Sequence, residues 1–260
     1  MYRSPNAQPR KERRNKVLTE PTLDKLKELA LHGMAETLLA QQNDNDCAQL
    51  DFEDRLGLLV DAEWMLRQNK RLTRRLREAK LRIPAACTED IDTAKARGLE
   101  KAALHRLASC VFIQERMSVL VTGPTGTGKT YLACALAQKA CRQGFRAVYK
   151  RAGHFYDELN VARADGSYPR LLARLAKIDV LIIDDFGLGK MRDGDRLALL
   201  DVLEDRFNNR STIITSQLPI SAWHDYIAEP TMADAICDRI VHNAHRVTLK
   251  GASRRQIKEK

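Results

Sequence analysis

Eight residues, Gly123-Pro124-Thr125-Gly126-Thr127-Gly128-Lys129-Thr130, match the pattern G-x-x-x-x-G-K-[ST] in full. Those residue types at that spacing suit the cradling of a polyphosphate. The glycines let successive backbone N–H groups turn inward as an anion nest, and a helix N-terminus behind them adds its positive dipole end. Lys129 can reach the β- and γ-phosphates as a point charge, and the Thr130 hydroxyl is placed to ligate Mg²⁺. Some 55 residues further on, Val180-Leu181-Ile182-Ile183-Asp184-Asp185 is an apolar run ending in two carboxylates. Beside such a loop, Asp184 is expected in the Mg²⁺ shell. Asp185 is expected to orient or deprotonate a water attacking the γ-phosphate. The chemistry these residues support together is the binding and hydrolysis of Mg·ATP.

The loop needs a strand in front of it and a helix behind. Val119-Leu120-Val121 supplies the first, and the Ala-rich stretch from Tyr131 to Cys141 the second. From about residue 117, short β-branched runs at 118–121, 146–150, 180–184, 212–216 and 246–249 alternate with helical patterns. The helices are expected over 129–143, 153–163, 168–176, 194–208, 221–227 and 231–243. Strands separated by helices imply right-handed crossovers. The fold expected is therefore α/β, with a five-stranded, mainly parallel sheet flanked by helices. Ahead of it, Leu23, Leu26, Leu29, Ala30, Met34, Leu38 and Leu39 recur at helical spacing after Pro21. Residues 41–49 read as a loop, and a long helix runs from Phe52 to Leu81 before Ile83-Pro84. The organisation expected is a basic tail over 1–18, a small all-helical N-terminal module over 19–83 and an ATPase domain over 84–260.

Of 260 residues, 44 are Lys or Arg and 34 are Asp or Glu, a formal net charge of +10. That surplus is concentrated. Residues 1–16 carry +5, residues 67–82 carry +7 and residues 239–260 carry +6, leaving −8 on the remainder. Basic segments on an otherwise acidic body suit a polyanion. Aromatics are 5% of the chain and none falls within 67–82, so duplex backbone contact is expected rather than base stacking. Cys47, Cys87, Cys110, Cys134, Cys141 and Cys237 contain no C-x-x-C pair, which argues against zinc and disulfide frameworks. There is no run of 18 apolar residues and no apolar segment behind the basic start. Neither a membrane span nor a secretory signal is expected, and the expected location is the cytoplasm.

Further residues carry a resemblance. Ser211-Thr212-Ile213-Ile214-Thr215-Ser216-Gln217-Leu218-Pro219 resembles the sensor-1 strand of AAA+ ATPases, and Ala233-Asp234-Ala235-Ile236-Cys237-Asp238-Arg239-Ile240 resembles their arginine-finger helix. Together with the Gly-rich loop, Asp184-Asp185-Phe186-Gly187-Leu188-Gly189 and Leu249-Lys250-Gly251-Ala252-Ser253-Arg254-Arg255, the chain is similar to the IstB family from about residue 22 to 255. Those are ATP-binding helper proteins of insertion-sequence transposition, relatives of the DnaC helicase loader.

The resemblance implies a P-loop NTPase fold of AAA+ type and a head-to-tail homo-oligomer on duplex DNA that activates or targets a partner transposase. Arg239 would complete a neighbouring subunit's ATP site, and Ser216 or Gln217 would contact the γ-phosphate or the attacking water. Many AAA+ proteins carry Asp-Glu where Asp184-Asp185 stands. The chain ends soon after the fifth strand, so no C-terminal lid domain is expected, and Arg254 or Arg255 could substitute for a lid-borne sensor. Three other readings compete. A DnaC-like helicase loader would use the same ATP site with single-stranded DNA. A small-molecule kinase lacks a recognisable acceptor motif and leaves Arg239 idle. A non-hydrolysing clamp would have an inert Asp185.

Overall fold

The helical spacing ahead of residue 83 resolves into three helices where the periodicity suggested two. Residues 20–28 form α1, Ala30 turns the chain at φ +55°, and α2 follows over His32–Asn43. A single left-handed residue leaves no mark on apolar spacing, so the break was invisible in the pattern. The stretch expected as a loop accordingly starts later and holds a short 3₁₀ turn at Cys47–Gln49. α3 spans Phe52–Ala79, and Lys80, at φ +48°, ends it two residues before the expected Leu81.

A computed structural model describes residues 20–44, 46–93 and 97–253 of the chain, in two compact units divided between Thr73 and Arg74. In the first unit α2 and α3 approach closely at Gly33, where an added Cβ would lie 2.7 Å from the Glu63 Cα. The same Glu63 accepts the Gly33 N–H at 2.7 Å. Phe52, Leu56, Val60 and Trp64, spaced by four along α3, are exposed. No described helix is long and apolar enough to cross a membrane.

Beyond the end of α3, the second unit holds two short helices that the sequence pattern does not single out, α4 (Lys101–Ala108) and α5 (Val111–Gln114). Five strands follow: β1 (Ser118–Thr122), β2 (Ala147–Arg151), β3 (Val180–Phe186), β4 (Ser211–Ser216) and β5 (Ala244–Thr248). They pair in parallel in the order β2-β3-β4-β1-β5. Between them lie α6 (Lys129–Arg142), α7 (Ala152–Ala164), α8 (Tyr168–Ala176), α9 (Asp193–Arg206), α10 (Trp223–Ile227) and α11 (Pro230–Val241). Expected and observed ends differ by one or two residues, the ordinary uncertainty of frayed termini.

Side-chain alternation puts Leu120, Leu181, Ile183 and Ile214 on the face covered by α7 to α11. Val119, Val121, Ile182 and Ile213, fully buried, take the opposite face, where α6 packs on β1, β3 and β4. Ala133, Ala135, Ala137 and Ala140 are buried along α6. Their small side chains hold that helix, and the loop at its N-terminus, close against the sheet. Phe186, at the end of β3, packs edge-on to Trp223 and Tyr226 with ring centroids 4.9 and 5.2 Å away. These contacts fix the strand end that carries the paired carboxylates.

Candidate functional site

The Gly-rich loop leaves β1 at Gly123 and enters α6 at Lys129, as its strand and helix signals required. Gly123 has φ +143° and lies under the chain leaving β5, where a Cβ would meet the Leu249 carbonyl at 2.2 Å. Gly128, at φ +98°, is the residue from which α6 starts. Both positions favour glycine by their positive φ, and at Gly123 the close approach of Leu249 excludes a side chain as well. Lys129 is buried, with Nζ donating to the Gly123 and Pro124 carbonyls at 2.7 and 2.8 Å. Its ammonium is thus held within the curl of the loop.

Asp184 is fully buried at the end of β3. A carboxylate there is tolerable only if its oxygens are satisfied. Thr130 Oγ1 lies 3.0 Å from both of them, Tyr149 donates from β2 at 2.6 Å, and Thr215 donates from β4. Burial first, then the bond to Asp184, pushes the Tyr149 phenol far above its usual value, so it remains a donor. The Arg82 guanidinium stands 3.7 Å from Asp184 and 3.6 Å from Asp185. The Tyr149 hydroxyl, followed by the two carboxylates, raises the Arg82 pKa against the opposing effect of burial.

Asp185 adopts φ +60°, and the β3–β4 register shifts between Ile183 and Phe186. This bulge turns consecutive carboxylates in different directions. Asp185 reaches the cavity beside the loop and meets Arg151 at 3.1 Å, while its N–H donates to Thr215 Oγ1 at 3.1 Å.

A cavity of about 470 Å³ joins these groups. Its lining is polar from Thr125 to Thr130 with Asp185 and Gln217, while Ile83, Ile91, Leu99, Tyr131 and Leu249 form an apolar wall that Asp90, Asp92 and Arg97 interrupt. The size and the division into a phosphate-suited end and an apolar wall fit a nucleotide. Arg97 ties the wall to the loop by donating to the Thr127 carbonyl at 2.8 Å.

Among the candidate residues, the structure brings together the whole loop, Thr130, Asp184, Asp185 and Gln217. Gln217 accepts the Thr125 hydroxyl at 2.7 Å. Ser216 is buried and turned away, donating to the Phe186 carbonyl at 2.6 Å and accepting the Leu218 N–H at 3.1 Å. Of the two polar residues considered at this strand end, Gln217 is the one on the cavity.

Arg239 is elsewhere. It pairs with Glu204 at 2.6 Å, near Ser118 and Thr212 at the starts of β1 and β4, while the loop sits at the other end of the strands. Arg254 and Arg255, like the tail over 1–18, lie outside the described residues.

Thr215, Tyr149, Arg151 and Arg82 carry no sequence signal for the site, and Arg82 belongs in sequence to the basic run over 67–82. Sheet order supplies the missing information, because β2 and β4 flank β3. Among the described residues no cluster of three or more His, Cys, Asp or Glu side chains suits a metal, and Cys110, Cys134 and Cys141 are buried thiols.

A parallel sheet of this order, with a Gly-rich loop after its interior strand β1 and two carboxylates near the end of β3, defines a P-loop fold of AAA+ type. Solved structures share the fold. The crystal structure of DnaI superposes with a TM-score of 0.55 at 21% identity, over 64% of this chain and 92% of that one. The DnaC helicase loader gives 0.52 at 20%, over 64% and 97%.

The family description "IstB-like ATP binding protein" matches residues 24–260, and the chain belongs to that family. An insertion sequence ATP-binding protein of Sinorhizobium fredii is 45% identical over 92% of this chain and 98% of its own length. Another, from Pseudomonas fluorescens, is 46% identical over 79% and 89%.

Proposed function

We propose that this chain is an ATP-hydrolysing helper of insertion-sequence transposition. In this reading it binds Mg·ATP, converts it to ADP and phosphate, assembles head to tail on duplex DNA and activates or targets a partner transposase. The observation that carries it is the convergence on one cavity of a phosphate-suited loop, a hydroxyl–carboxylate pair behind it and a second carboxylate, Asp185. The names of the relatives, which tie ATP binding to insertion sequences, support the same reading.

The residues fit Mg²⁺. Thr130 and buried Asp184 offer hard oxygen donors at one point, and the bound ion would supply charge neutralisation to the β- and γ-phosphate oxygens. Lys129 and the N–H groups of the loop bind the phosphates. Asp185 orients the attacking water and accepts its proton as the new O–P bond forms and the bond to ADP breaks. Gln217 steadies that water, and Arg239 of a neighbouring copy meets the γ-phosphate. Contact with a phosphate backbone is supported by a groove of about 430 Å³ beside the outer edge of β2. Arg75, Lys80, Arg146, Lys150 and Arg174 line it against Glu78 and Glu158.

The test is Asp185→Asn. ATP affinity should be retained while steady-state phosphate release falls by about 10²–10⁴-fold. Unchanged turnover would overturn hydrolysis by this site. Fluorescence anisotropy should show tighter binding of duplex than of single-stranded DNA in the presence of ATP, and the reverse order would favour the helicase-loader reading.

A further inference from the structure

Arg82 is a cation that the two site carboxylates share, standing within 4 Å of each. It lies three residues beyond the end of α3, and its place is fixed from both sides. Ala79, Leu81 and Ala86 around it are buried, Ala86 N–H donates to the Ile83 carbonyl at 3.1 Å, and Cys87 N–H donates to Tyr131 of α6 at 3.2 Å. The side chain is nonetheless 44% exposed, so the backbone is anchored while the guanidinium retains room to move. Its Nη1 faces Asp184 at 3.7 Å and Asp185 at 3.6 Å without a close bidentate fork to either. Such a contact acts by charge more than by hydrogen-bond geometry.

Two adjacent carboxylates, one fully buried, need a positive charge nearby. Thr130, Thr215 and Tyr149 bring dipoles to Asp184 but no charge. Mg²⁺ held by Thr130 and Asp184 would bring positive charge to the same Asp184 carboxylate that Arg82 faces.

We propose that Arg82 is a positioning residue of the ATP site, a built-in counter-cation that holds the Asp184–Asp185 pair and competes with Mg²⁺ for it. Nucleotide entry with the metal then requires the guanidinium to swing aside, leaving Asp185, which already lines the cavity, with Arg151 as its cationic partner. This inference rests on the Mg·ATP reading above.

The experiment measures the affinity of a fluorescent non-hydrolysable ATP analogue across a Mg²⁺ titration for the wild type, Arg82→Met and Arg82→Lys. Removing the competing charge in Arg82→Met should lower the Mg²⁺ concentration at half-saturation by roughly tenfold. That is the size of effect one neighbouring cation has on the proton affinity of a carboxylate. Arg82→Lys should restore most of the wild-type value. Full analogue binding at saturating Mg²⁺ shows that each variant is folded. If the wild type depends on Mg²⁺ and Arg82→Met has an unchanged or raised half-saturation, Arg82 is not a competitor and the proposal falls alone. If wild-type binding is indifferent to Mg²⁺, the Mg·ATP reading falls and takes the proposal with it.

Discussion

The Thr215 hydroxyl joins both carboxylates of the site. It donates its one proton to Asp184 and accepts the Asp185 N–H at 3.1 Å, which uses its donor and one lone pair. Thr215→Val keeps the shape, removes a donor from a buried charge and leaves that N–H without its acceptor. The expected cost is about 2 kcal/mol, the range for hydrogen bonds to charged groups, read as a lower urea midpoint at unchanged slope. An unaltered midpoint would mean that Tyr149 and Thr130 alone satisfy Asp184. The sequence drew attention to the neighbours Ser216 and Gln217 and passed over Thr215. Loop, Thr130, Asp184 and Asp185 were legible because each sits in a local pattern with a chemical purpose. Thr215 was not, because its role depends on Ile183 pairing with Ile214, and neither strand encodes that register by itself. Arg82 was misread for a related reason. In sequence it is one more arginine of a basic run, and only the turn at Lys80 sends it toward the carboxylates.

At the scale of elements, local periodicity identified every strand and most helices, while sheet order, the break at Ala30 and the short α4 and α5 escaped it. Order depends on long-range pairing, and helices of eight and four residues are too short to establish a period. The α2–α3 contact shows what such pairing adds. The residue before α2, Leu31, offers no side-chain cap, and Glu63 of α3 accepts the Gly33 and Met34 N–H groups at its start instead. Arg67 first, then those N–H groups, holds the Glu63 carboxyl below its ordinary value despite burial. A carboxyl lowered in the folded state contributes stability above its unfolded pKa, about 4.3, and loses it as pH falls through the folded value. Acidification below that range should therefore loosen the α2–α3 pair. Far-ultraviolet circular dichroism of residues 20–73 within the full chain is overlaid by the rest, so the comparison that isolates the effect is wild type against Glu63→Gln. The variant should start less stable at neutral pH and show a flatter acid dependence. Parallel acid profiles would remove Glu63 as the cause.

At the scale of the whole molecule, the decisive fact is that Arg239 and the Gly-rich loop occupy opposite ends of the same strands. An arginine so placed cannot reach a nucleotide in its own chain, and a strand-length offset is what a head-to-tail neighbour would need in order to insert it. Its present partner, Glu204, is an exposed carboxylate, and an exposed ion pair is readily exchanged for a phosphate. If Arg239 serves the next copy, Arg239→Ala should lower turnover by roughly 10³–10⁵-fold, the range for an arginine supplied in trans, with ATP affinity little changed. Position in the fold adds a sharper expectation. Asp185→Asn subunits have inert sites but intact arginines, and Arg239→Ala subunits have intact sites but no arginine to give. Mixed in equal amounts, two inactive proteins should regain activity at those interfaces where an Asp185→Asn subunit presents Arg239 to an Arg239→Ala site. If the active unit is an assembly, phosphate release should also rise more than linearly with total protein concentration. Mixtures as inactive as their components, under conditions where each still binds ATP, would confine Arg239 to its pairing with Glu204 and make the ATP site complete within one subunit.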